Sequence, residues 1–261
     1  MSGHSKWSTI KHKKEAKDAK KGKIFSKVSA LITHAAKQGG GDPEMNPTLR
    51  MHIDRAKSAG FSIDKINRAI AKGTGKGGDG IDFVETSYEG FGPGGIAIIV
   101  DCLTDNTNRT VSEIRKLFEE VGGSMGESGS VLWNFDIRGC IVVKCGHMVK
   151  GKRYGDDDIY VEDDVDTVMI ELMDIEGILD IVEISIGGIK AVEVFTEFVD
   201  MVRVRDSIAS KYPYVIDDAF IVKVAKLKKS LTGEELEKAL SALERLEDND
   251  DVQEVWSDLE V

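Results

Sequence analysis

Five glycines stand between positions 73 and 80, at 73, 75, 77, 78 and 80, and the hydrophobic rhythm of the chain changes across them. A tract so rich in glycine reads as a linker, so whatever lies on either side must bury its own core. Before it the spacing is helical. Ile24, Val28, Leu31, Ile32 and Ala35 predict a helix over 15–38, with Lys23 and Lys27 off the apolar stripe. Gly39, Gly40 and Gly41 stop it. Asn46 followed by Pro47 is a cap with a first-turn proline, and Leu49, Ile53 and Ala56 carry a second helix up to Gly60. Ser62 is placed to cap a third, with Ile63, Ile66 and Ile70 inside and Gly73 at its end. Residues 1–76 are expected to be an arm followed by a three-helix domain.

Beyond the linker, strands alternate with helices. Strands are expected at 86–88, 96–103, 131–135, 141–144, 181–186, 191–195, 220–225 and 252–256. Helices are expected near 111–121, 165–173, 201–210 and 234–246, with an acidic loop over 156–166. That order predicts an α+β multidomain chain. Residues 80–136 plus 217–261 would form a split α+β domain, and 137–216 an α+β domain inserted in it. Each is expected to be ferredoxin-like, in a βαββαβ order.

Charge divides the chain at the same place. Residues 1–76 hold 17 Lys+Arg and 6 Asp+Glu, a net of +11, whereas 77–261 hold 18 and 40, a net of −22. A cationic segment on an acidic body points to a polyanion partner, and the acidic remainder confines binding to one face. The other reading is that the basic segment docks on the acidic domains; the two are compatible. The candidate nucleic-acid contacts are His4, Lys6, Trp7, Lys11, His12, Lys13, Lys14, Lys17, Lys20, Lys21, Lys23 and Lys27, with Arg50, Arg55 and Arg68 on the following helices. Nine of these are lysines within 22 residues. Each phosphate they neutralise releases condensed counterion, which makes such binding salt-dependent. Trp7 either stacks on an unpaired base or anchors the arm on the helices.

Other function classes are excluded or lack a signature. The longest aliphatic run covers only 96–100, against roughly 20 apolar residues for a membrane span. The basic start has no apolar core and is not expected to be a secretory signal. Three cysteines are too few for a disulfide scaffold and fit the cytoplasm. Two G-x-G-x-x-G patterns begin at Gly73 and Gly90, but neither lies between a strand and a helix, as a dinucleotide fingerprint requires. Cys140 and Cys145 are an odd number of residues apart, so on one strand they face opposite sides, unlike zinc ligands. The acidic run lacks the layout of a calcium loop and suits a helix N-terminus. No catalytic residues, cofactor, metal or small-molecule substrate are expected, and the chain is not expected to be an enzyme.

Several ordered blocks then resemble one family. SGHSKWSTIKHKKEAKDAKKGKIFSK, GGGDPEMNPTLR, YEGFGPGGIAIIVDCLTDN, NRTVSEIR, GGSMGESGSVLWNF and DVQEVWSDLEV are similar to the signature segments of the YebC family of probable transcriptional regulatory proteins, whose organellar branch consists of translational activators. The resemblance implies a helical N-terminal domain and two α+β domains, no enzyme activity and no cofactor. It implies binding to DNA in transcription or, as the alternative, to ribosomal RNA and the ribosome. Arg109, in LTDNTNRT, matches a family position and is a candidate contact. Thr107 stands where many members carry Arg, and residues 146–164 are longer and more acidic than is usual there.

Overall fold

The computed structural model describes residues 18–75, 82–151 and 158–260. Three helices come first, α1 (Asp18–Gly39), α2 (Pro47–Ser58) and α3 (Ile63–Gly73). Asn46 joins two of them. Its side chain accepts from the Leu49 amide at 3.0 Å, capping α2, and donates to the carbonyls of Ala35 at 2.8 Å and Gly40 at 2.9 Å. A buried polar side chain is tolerated there because each of its groups has a partner. The helices close over Val28, Ile32, Leu49, Ile53, Ala56, Phe61, Ile66 and Ala69. Gly73 lets α3 approach α1, since a Cβ there would meet the Thr33 carbonyl oxygen at 2.2 Å. Ile63 departs from expectation and is 68% exposed. It is the first residue of α3, and the inward stripe starts at Ile66, with Phe61 filling the core ahead of the helix. Ser62 has the extended backbone of a cap, but its side chain accepts no capping bond.

After the linker come β1 (Val84–Phe91), β2 (Ala97–Thr104), α4 (Thr107–Glu120), β3 (Ser124–Met125), β4 (Phe135–Val149), β5 (Ile159–Glu162), α5 (Val165–Met173), β6 (Ile178–Ile186), β7 (Ile189–Glu197), α6 (Met201–Lys211), β8 (Tyr214–Ala225), β9 (Lys229–Ser230), α7 (Gly233–Glu247), β10 (Val252–Ser257) and β11 (Leu259–Glu260). Backbone contacts divide the described chain into two units, one of residues 135–224 and one of 18–134 with 225–260. The expected return near Asp217 falls inside β8. That strand pairs with β4, and the inserted unit holds it as far as Val224.

In the inserted unit the sheet runs β5-β4-β7-β6, with β8 also on β4. Its core gathers Ile141, Val143, Cys145, Val192 and Val194 from the strands, Val168 and Leu172 from α5, and Val204 and Ile208 from α6. This is the expected β-α-β-β-α-β order with one extra strand. The extra strand, β5, replaces part of the expected acidic loop and pairs with 146–149 of β4. Asp164 then caps α5, accepting from the Thr167 amide at 3.1 Å.

The other unit's sheet runs β10-β2-β1-β3 and is antiparallel at each pairing. Here β1 and β2, expected as consecutive strands at 86–88 and 96–103, pair antiparallel as a hairpin. All but one residue of β2 are buried, which is why it reads as a continuous apolar run. Ile114 and Phe118 of α4 and Leu243 and Leu246 of α7 are fully buried.

The strand expected at 131–135 is instead a 3-10 turn over Leu132–Asn134, and β4 begins at Phe135. The cause is Glu89 on β1. Its buried carboxylate accepts from the amides of Gly129 at 2.7 Å, Val131 at 2.8 Å and Leu132 at 2.8 Å. Donors that a strand would give to a neighbour are bound by a side chain. Charge-assisted bonds of this kind are roughly twice as strong as neutral ones.

Candidate nucleic-acid interface

His4, Lys6, Trp7, Lys11, His12, Lys13, Lys14 and Lys17 lie outside the described residues. Lys20, Lys21 and Lys23 fall in the first two turns of α1. The remaining candidates take distinct places.

Lys27 faces inward in the helical unit. Its ammonium donates to the Glu247 carbonyl, at the last residue of α7, at 2.7 Å. A cation at a helix C-terminus meets the negative end of the helix dipole and its unpaired carbonyls. Arg55 of α2 pairs with Glu254 of β10 at 3.2 Å, Lys37 of α1 pairs with Asp82, and His34 Nε2 lies 3.4 Å from Glu85 of β1. These contacts tie the first two helices, α1 and α2, to the acidic sheet and to the chain leading into it. Part of the N-terminal cationic charge therefore serves docking. His52 lies behind this seam, with its Nδ1 buried and no hydrogen-bond partner among the described residues. Burial, then the neighbouring Arg55 and His34, push its imidazole down to about 4.

Arg50 also has a local use. Its guanidinium donates to the carbonyls of Pro43 and Glu44, each at 3.0 Å, and closes the loop between α1 and α2.

Arg68 is different. It is exposed on α3 and has no ion-pair partner among the described residues. Lys65 and Lys72 stand three residues before it and four after it, the spacing that places side chains on one helix face. Asp64 is the one acid in the helix. Lys65 is held over the Phe25 ring, 4.7 Å from its centroid, and Phe25 meets Phe61 edge-on at 4.3 Å. Lys65 and Lys72 were not among the expected contacts. Their spacing against Arg68 was the signal that could have found them.

Arg109 sits in the first turn of α4 among carboxylates. Its Nη2 lies 2.9 Å from Asp251 and 3.0 Å from Asp105, with Glu113 at 4.0 Å from Nε. Asp251 also accepts from Thr110 at 2.7 Å and Thr104 at 3.1 Å. Burial pushes the Asp251 carboxyl up, but the bonds from Thr110, Arg109 and Thr104 outweigh it and hold it below the usual carboxylate range. Hydrogen bonds and charge from Asp251 raise Arg109 in turn. This cluster joins α4 to the turn before β10, and it is negative around its one cation.

Among the described residues, no group of three or more His, Cys, Asp or Glu gathers to hold a metal. Burial pushes the Cys102 thiol up to about 12 and Cys145 to about 11, and raises Cys140 well above its ordinary value. Such thiols are poor nucleophiles at neutral pH. Cys145 packs in the core of the inserted unit, and Cys140, an odd number of residues before it on β4, takes the opposite face.

Comparison with known proteins adds the following. Residues 5–76 match the TACO1/YebC protein N-terminal domain, and residues 83–259 match the TACO1/YebC second and third domain. A probable transcriptional regulatory protein of Geotalea uraniireducens is 44% identical, covering all of this chain and 96% of its own. Another from Dictyoglomus turgidum is 42% identical with the same coverage. The crystal structure of a conserved hypothetical protein, Aq1575, from Aquifex aeolicus superposes with a TM-score of 0.81 at 33% identity, covering 98% of this chain and 97% of that one.

Proposed function

The chain belongs to the TACO1/YebC family, and from that premise we propose that it is a non-enzymatic, nucleic-acid-binding regulator of gene expression. The observation that carries this reading is the charge division: a net of +11 over residues 1–76 on a body with a net of −22. Docking uses Lys27, Lys37 and Arg55. The arm lysines, with Lys65, Arg68 and Lys72 of α3, supply cations for phosphate. The names of the relatives speak for transcription. A second reading, a translation factor on ribosomal RNA, is favoured by Trp7 among the arm lysines, since an aromatic between cations suits unpaired bases.

The test is to crosslink the protein in growing cells and sequence the attached nucleic acid. A variant with Lys13, Lys14, Lys20 and Lys21 changed to Glu serves as control. Promoter DNA that is lost in the control supports transcriptional regulation. Ribosomal RNA lost in the control places the protein in translation. Recovery of nucleic acid equal in both proteins contradicts the proposal.

A further inference from the structure

We infer a second nucleic-acid contact, away from the arm: a stacking platform for an unpaired base, made by Trp133 and flanked by Lys226 and Lys228. It rests on the reading above that the chain binds nucleic acid. Trp133 is 62% exposed, and its neighbour Leu132 41%. A large exposed aromatic in a globular body is informative where it is also held still. Here the indole Nε1 donates to the Ser130 carbonyl at 3.0 Å. The loop beneath it is pinned by the three amide bonds to Glu89. The ring is thus oriented before any partner arrives, which removes part of the ordering cost of binding.

The charge beside it is the second observation. Residues 223–229 read KVAKLKK, four lysines and no acid inside a body of net −22. Asn134 binds this segment to the tryptophan loop. Its carbonyl accepts from the Lys226 amide at 2.7 Å, its side-chain oxygen accepts from the Leu227 amide at 2.9 Å, and its side-chain amide donates to the Leu227 carbonyl at 2.9 Å. Lys226 is exposed, Leu227 is 63% exposed and Lys228 is half-buried. Lys229 is turned to the Gly95 carbonyl at 3.1 Å. An aromatic face next to cations is the arrangement that stacks a base and holds its phosphates. The ligand is single-stranded rather than duplex, because a paired base has no free face to offer.

The full-length chain should be titrated with a labelled 12-nucleotide oligouridine RNA. Trp133→Ala should weaken binding about five-fold or more, and Trp133→Phe much less, since stacking is worth about 1–3 kcal/mol per base. Lys226→Glu with Lys228→Glu should lower the slope of log affinity against log salt by about one. In the unaltered protein, a 4-thiouridine oligonucleotide should crosslink to residues 126–134. Unchanged affinity in a folded Trp133→Ala variant, or crosslinks confined to the first 76 residues, would overturn the inference and leave this surface to a protein partner. The arm variant separates the two readings. If it abolishes oligonucleotide binding while Trp133→Ala has no effect, the platform fails and the arm reading stands. If it leaves binding intact while Trp133→Ala weakens it, the platform stands and the arm reading fails.

Discussion

The buried Glu89 carboxylate and the enclosed Nδ1 of His52 make the sharpest predictions about stability. Glu89 satisfies three loop amides, and an unsatisfied buried donor costs about 1–3 kcal/mol. Glu89→Gln offers the same amides a neutral oxygen and a competing NH₂ donor. It should lower unfolding free energy by about 2–4 kcal/mol in urea titration, and it should loosen the 126–134 loop in hydrogen exchange. A loss below about 1 kcal/mol would mean that the turn holds itself. His52 predicts a pH effect. Its folded-state pKa of about 4 lies below the ordinary value of 6.5, so between these values the unfolded chain binds the extra proton. Stability contributed by the neutral ring is present above about pH 6.5 and is lost as pH falls toward 4. From pH 7 to 4.5 the wild type should lose about 2–3 kcal/mol more than His52→Gln. Equal losses would show the ring to be solvated.

The elements differ in how far they could be read in advance. α5, α6 and α7 lie close to their expected positions because helical spacing is a local signal, as is the Asn46-Pro47 start of α2. The turn at 132–134 was not legible, because its cause, Glu89, is about forty residues away. The edge strand β5 was hidden for a similar reason: it exists through pairing with β4. The strand expected at 220–225 ends where it should but starts earlier, at Tyr214, because the acidic stretch at Asp217 and Asp218 imitates a boundary. In the site, the lysines and arginines could be found as cations, but not their partners. Asp251, which holds Arg109, lies 142 residues away in sequence. This cluster predicts a split result. Asp251→Ala strips an acceptor from the fully buried Thr104 and Thr110 hydroxyls and should cost about 2 kcal/mol. Arg109→Ala removes only the solvent-facing partner of Asp251 and should leave the unfolding midpoint nearly unchanged. Carboxylates already engage the Arg109 guanidinium, so Arg109→Ala should leave nucleic-acid affinity unchanged. A loss of affinity without a loss of stability would instead make it a nucleic-acid contact.

Taken together, the molecule carries opposite charges on one chain and uses them in two ways. Inward-facing cations bind the acidic sheet and the C-terminus of α7. The N-terminal segment retains an excess of charge, and the acidic body limits where a polyanion can approach. An account in which docking absorbed all of that charge would predict little binding and little salt dependence. The direct test is the affinity of the full-length chain for single-stranded RNA and for duplex DNA across a salt series, with the Lys13, Lys14, Lys20 and Lys21 charge-reversal variant alongside. The account predicts tight binding at low salt, a steep fall of log affinity with log salt, and loss of both in the variant with its thermal unfolding unchanged. Affinity that is flat with salt, or equal in the two proteins at moderate salt, would contradict it.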